Sequence, residues 1–209
     1  DCVQSLAEAI DNAGQETTGF SLDRRHHFLG RWIKCGGRYP LRLLRIWRPH
    51  AGRIEQRWMD EHVIIDHPKS ENISDGDLVD HNLNDLDWWI SKHNGYATRE
   101  VYDLVQILER DNNQREVGLE AMPGQAARKR WLKKNIYTRL PSTLRASLYF
   151  FYRYFIGLGF LDGKEGFYFH FLQSYWYRTL VEAKLYELEL RAKSKGISKA
   201  DLLRREGVI

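Results

Sequence analysis

Two periods of apolar spacing divide the chain. Residues 3–12 (VQSLAEAIDN) predict a short amphipathic helix that ends near Gly14. Extended segments follow. Residues 18–29 (TGFSLDRRHHFL) contain a strand-like piece, 41–48 (LRLLRIWR) set apolar residues between arginines, and WMDEHVII at 58–65 ends near Asp66-His67-Pro68. Between the first two lies GRWIKCGGRYP, rich in glycine, basic and aromatic residues. From residue 83 the spacing turns helical, with Leu86, Trp89, Ile90, Val101, Leu104, Val105 and Leu108 on one period. A polar connector with Pro123 and Gly124 covers 111–126, and a basic helix (AARKRWLKKNIYTRL) runs to Pro141. Residues 144–161 are strongly apolar but carry Arg145 and Arg153. The turn DGKEG leads into a long aromatic helix at 167–190, and the charged tail 191–209 reads as loosely packed. No internal repeat is visible.

Charge sharpens this picture. The formal net charge is only +4, yet no acid lies between Glu120 and Asp162, an interval holding Arg128, Lys129, Arg130, Lys133, Lys134, Arg139, Arg145 and Arg153. Such a block calls for an anionic partner, phospholipid headgroups or nucleic acid. Aromatics make up 13% of the chain and many flank the block, a combination suited to the headgroup level of a bilayer. The eighteen residues 144–161 sit at the lower end for a spanning helix, and a central arginine costs about 2.5–3.5 kcal/mol on the insertion scale. An in-plane or re-entrant hairpin with 167–190 is therefore expected rather than a lone span. An ordinary buried helical pair is the alternative. Two cysteines, Cys2 and Cys35, are too few for a disulfide framework and fit a reduced, cytosolic setting. The chain opens on Asp1 without a leader pattern and reads as a fragment or processed chain.

Three stretches, taken in order, resemble the bacterial family 2 glycosyltransferases that build lipopolysaccharide core, capsule and exopolysaccharide. They are FLGRWIKCGGRYPLRLLRIWR with RIEQRWMDEHV (28–63), LVDHNLNDLDWWISKHNGYATRE (78–100), and YFFYRYFIGLGFLDGKEGFYFHFLQSYWYRTLVEAKLYE (149–187). The resemblance implies an α/β (α+β) chain: the carboxy-terminal, acceptor-side portion of a GT-A fold over 1–82, a helix closing the site over 83–110, a basic and aromatic membrane-associating region over 111–190, and the tail. It implies inverting transfer from a nucleotide-sugar donor to a lipid-linked or lipopolysaccharide acceptor, at the cytoplasmic face of the bacterial inner membrane. The family's nucleotide-binding half and its metal-holding Asp-x-Asp have no counterpart here. Asp75-Gly-Asp77 falls in a polar loop after the candidate base, so the chain alone is expected to be inactive.

An inverting transfer needs a carboxylate to take the acceptor hydroxyl's proton. Asp60 and Glu61 are the candidates, with Asp60 slightly favoured by the family's pattern; an exposed acidic turn paired with Arg57 is the plain alternative. The leaving diphosphate needs positive charge. A divalent metal (Mg2+ or Mn2+), held mostly by residues outside this chain, would supply it, with His62 and His81 as candidates to reach it. Trp32 and Trp58 are placed against a sugar face, Gly36 and Gly37 in a tight loop, and Arg45, Arg48 and Lys92 near phosphates; core packing and ion pairs are the competing explanations. The basic tetrad Arg24, Arg25, His26, His27 fits phosphate or a solvated loop. Two other functions compete. A non-catalytic membrane-surface adaptor would need only the basic aromatic helices. A nucleic-acid module would use the basic stretch 128–145, but no nucleic-acid motif occurs and the aromatics gather in apolar helices, so nucleic acid is not expected as a partner.

Overall fold

A computed structural model of the chain describes residues 2–54, 63–65, 70–113 and 142–209. Trp58, Asp60, Glu61 and His62 lie outside the described residues, as does the basic helix ending at Pro141. The chain is mixed α/β. It divides into two compact units, residues 1–85 with 151–171, and residues 86–150 with 172–209.

The first unit is built on a long strand, β1 (Gly19–Phe28). The strands β2 (Arg31–Ile33) and β3 (Arg42–Trp47) pair with it antiparallel, at its second and first halves respectively. β4 (Gly52–Ile54) and β5 (Val63–Ile65) form a separate antiparallel pair. β6 (Ser70–His81) runs parallel to β1, from Gly19↔Ser70 to His27↔His81. Asp75-Gly-Asp77 is therefore strand and not the polar loop expected from its composition. Helix α1 (Cys2–Asn12) lays Leu6 and Ala9 on buried Phe20 and Leu22, with Ile46 beside them. Its apolar face follows from spacing alone; its isolated stability does not, because eleven residues are marginal as a free helix and tertiary packing supplies the rest.

Residues 151–171 complete this unit. They comprise a π-helical turn (Tyr152–Ile156), a 3-10 turn (Gly159–Asp162) and helix α4 (Gly163–His170), α3 (Ser142–Phe151) preceding them. Phe169 is fully buried and meets Phe28 edge-on at 5.5 Å.

The second unit is helical: α2 (Leu86–Asn113), α3, a π-helical turn (Phe171–Trp176), α5 (Tyr177–Ser194) and α6 (Lys199–Arg205). Ala97, Val101 and Val105, four apart on α2, pack with Tyr177, Val181, Leu188 and Ala192 of α5. Ala200, Leu202 and Leu203 of α6 join them at 1–3% exposure. The tail is thus not loosely packed. Ser198 caps α6, its Oγ accepting from the Asp201 amide at 3.0 Å, and Arg204 pairs with Glu109 of α2. The exposed Asp201, Arg204 and Arg205 are the outward face of a short amphipathic helix. Among the described residues no helix is long and apolar enough to cross a membrane.

Candidate functional site

The glycine-rich segment after β2 docks on residues 153–170 through backbone hydrogen bonds. The Gly36 amide donates to the Gly157 carbonyl at 2.7 Å, and the Cys35 amide donates to Asp162 Oδ2 at 2.8 Å. Arg153 Nε donates to the Gly36 carbonyl at 2.8 Å. Close approach requires glycine here. A Cβ on Gly36, whose φ is +67°, would lie 2.2 Å from His170 Cε1; one on Gly159 would lie 2.5 Å from His170 Cδ2. The imidazole fills the space that these two glycines leave open.

Arg153 settles the question raised by an arginine inside an apolar stretch. Its residue is buried at 4% exposure, and the guanidinium serves the Gly36 carbonyl from inside the unit, with its Cζ 5.9 Å from the Phe169 ring. His170 is fully buried and neither ring nitrogen has a hydrogen-bond partner. Burial, reinforced by the positive charges of Arg153 and Arg38, pushes its pKa down to about 3, so the ring is neutral.

Beside this junction lies a hollow of about 420 Å³, lined by Arg31, Trp32, Lys34, Cys35, Leu161 and Asp162. Trp32 has Lys34 Nζ at 4.3 Å and Arg25 Cζ at 4.5 Å from its ring, and Tyr39 edge-on at 5.1 Å. Arg31 pairs loosely with Glu165 at 3.7 Å. Burial first, and then the Asp162 carboxylate, raise the Cys35 thiol above its ordinary value, which leaves a protonated, weakly nucleophilic sulfur. An indole, two cations and a buried carboxylate around an open hollow suit a polar ligand that bears a ring face and negative charge.

The basic tetrad is neither loop nor free phosphate site. The parallel register of β1 on β6 sets Asp80 against Arg24 (3.5 Å) and His26 Nδ1 (3.1 Å), and Arg25 is paired with Asp77, which also accepts from Tyr39 OH at 3.2 Å. Burial lowers the His26 pKa despite its hydrogen bond to Asp80, and that same bond is the first cause of a depressed Asp80. His81 meets the His27 ring at 5.1 Å. Among the described residues no cluster of three His, Cys, Asp or Glu side chains is arranged to hold a metal ion. His81 therefore has no assembled partners for that role here, and His62 falls outside the described residues.

The remaining candidates separate. Gly36 is buried in the junction, while Gly37 is exposed at φ +70°. Arg45 is exposed on β3. Arg48 ties down the turn before β1, donating from Nε to the Thr17 carbonyl at 2.9 Å and from Nη2 to the Gly14 carbonyl at 3.4 Å, which is a structural role. Lys92 belongs to the second unit, its Nζ 4.6 Å from the Trp88 ring. Arg31, Lys34, Asp162 and His170 were not among the candidates from sequence, and Asp77 was weighed only as part of an Asp-x-Asp. The one signal for Asp162 was the DG turn; nothing local marked His170.

No family model, curated protein or solved structure matches this chain.

Proposed function

We propose that this chain is the acceptor-side portion of an inverting sugar transferase. It would take a sugar from a nucleotide-sugar donor and place it on a lipid-linked or lipopolysaccharide acceptor at the cytoplasmic face of a bacterial inner membrane. One observation carries the reading. The first and third stretches of the resemblance, more than a hundred residues apart, interlock through the Cys35–Asp162 and Gly36–Gly157 hydrogen bonds, and they jointly wall the hollow that holds Trp32, Arg31 and Lys34. Sugar recognition commonly combines an aromatic face with polar and charged groups. The base in this reading is Asp60 or Glu61, and the divalent metal belongs with the donor-binding residues.

The experiment is sugar transfer from a panel of nucleotide sugars to membrane extracts and to a water-soluble glycan acceptor, using the whole protein that contains this chain. Asp60→Ala or Glu61→Ala should abolish turnover without lowering the melting temperature, and Trp32→Ala should raise KM more than it lowers kcat. Full turnover in both acid variants would remove the proposed base. No transfer from any donor would remove the class, and leave the membrane-surface adaptor favoured by the exposed aromatic rings of residues 151–171.

A further inference from the structure

Apolar side chains in the first unit gather on one segment and stay uncovered. Tyr152, Phe155, Ile156, Leu158, Leu161 and Tyr168 are all about half exposed or more, with Ile156 at 64% and Tyr152 at 61%. They are not scattered. Ring contacts link Phe151 to Phe155 (4.9 Å), Phe155 to the half-buried Tyr154 (5.1 Å), Tyr154 to Phe167 (5.6 Å), and Phe167 to Tyr168 (5.7 Å) and Phe171 (6.1 Å), so the exposed Phe151, Phe155, Phe167, Tyr168 and Phe171 belong to one aromatic network. A surface of this kind marks a docking site.

Charge identifies the occupant. Leu161 reaches from this surface into the hollow where Arg31 and Lys34 stand, both exposed. The only acids between residues 121 and 171 are Asp162 and Glu165. Asp162 is buried, accepting from the Cys35 amide, and Glu165 pairs with Arg31. The surface is therefore apolar, rich in tyrosine and phenylalanine, and fringed by Lys34 and by Arg31, whose pairing with Glu165 is loose at 3.7 Å. An anionic bilayer matches all three: acyl chains take the rings and Ile156, tyrosine hydroxyls stay at headgroup level, and phosphates meet Arg31 and Lys34.

The geometry points to residues 152–168 as a monotopic membrane-docking surface for anionic phospholipid, with the exposed Arg31 and Lys34 as its headgroup-phosphate contacts and the Trp32 face of the hollow left to the acceptor. This rests on the proposal that the chain works at a membrane surface and says where and with what chemistry it does so. It also accounts for the arginine that forbids a spanning helix. Arg153 faces inward to Gly36, so the exposed side of the same turn is free to be wholly apolar.

Flotation of the full chain with vesicles of phosphatidylcholine alone and of phosphatidylcholine mixed equally with phosphatidylglycerol tests it. Binding to the mixed vesicles and little to the neutral ones is expected. Arg31→Gln and Lys34→Gln should each weaken the partition about fivefold and flatten its lipid preference. Tyr152→Ser with Ile156→Ser should abolish it, and the high exposure of both positions keeps the fold intact. Hydrogen exchange with mixed vesicles should show new protection over residues 152–161. No flotation, equal flotation on neutral vesicles, unchanged binding by these variants, or self-association through the same residues in light scattering would overturn the inference. Sugar transfer to the water-soluble acceptor is read separately. Absent flotation of the unaltered chain with intact transfer sinks this inference alone, and absent transfer with intact flotation sinks only the enzymatic reading.

Discussion

His170 has no exposed surface, and its ring nitrogens have no hydrogen-bond partner among the described residues, so its protonation is tied directly to folding. In the unfolded chain the imidazole titrates near its ordinary 6.5; in the fold its pKa is about 3. Between those values the unfolded state binds the extra proton, so stability rises with pH through the window and is lost progressively as pH falls below 6.5. From pH 8 to pH 5 the loss from this residue comes to about 2 kcal/mol, and His26, also lowered by burial, adds to it in the same direction. Thermal denaturation across that range should show the decline, and His170→Leu, which keeps an apolar filling between Gly36 and Gly159, should show a shallower one. Parallel curves for the two proteins would mean that the ring does not sense pH through folding.

At the scale of elements, the π-helical turn Tyr152–Ile156 turns Arg153 into the unit while its neighbours stay exposed. If Arg153 is a buried donor to the Gly36 carbonyl, Arg153→Met removes a charged hydrogen bond and leaves a carbonyl without that donor, at a cost of about 1.5–3 kcal/mol in urea unfolding. A lipid-facing arginine would give the opposite sign, since methionine would improve insertion; an unchanged or raised midpoint would therefore defeat the placement. Legibility from sequence follows the same division. Helices α1 and α2 were readable because local periodicity reports which face is buried, while β1 and β3 were readable only as extended pieces, since their burial does not alternate. β6 was not, because Asp75, Gly76 and Asp77 carry loop composition and sit in a strand only because the residues on either side, up to Asn72 and from Asp77, pair in parallel with β1, a partner about fifty residues away, across a shift of register. The interlock of Gly36 with Gly157 and His170 spans still more chain. Glycine at a close approach leaves no periodic trace, so Trp32 and Gly36 could be proposed as neighbours of a site, but not Asp162 or His170 as the groups that build it.

Across the whole molecule, both units are closed by segments far apart in sequence: the first needs 151–171 to seat its glycine loop, the second needs 172–209 to bury the apolar face of α2. Contacts of such separation are bought with loop entropy and must be repaid by burial at both ends. The last helix is a case where the repayment can be measured. Leu202 and Leu203 are 1% exposed and Ala200 3% exposed within the second unit's core, and each buried leucine removed from a core typically costs about 2–5 kcal/mol. Ending the chain at Ser198 should therefore release amide protection over residues 97–105 and 181–188 in hydrogen exchange. Peptides from Gly19–Phe28 should keep theirs, because their buried rings and Leu22 are held within the first unit, Phe20 and Leu22 with α1 and β3 and Phe28 on Phe169. Unchanged protection over 97–105 would return the terminal residues to the loosely packed tail their charge suggests.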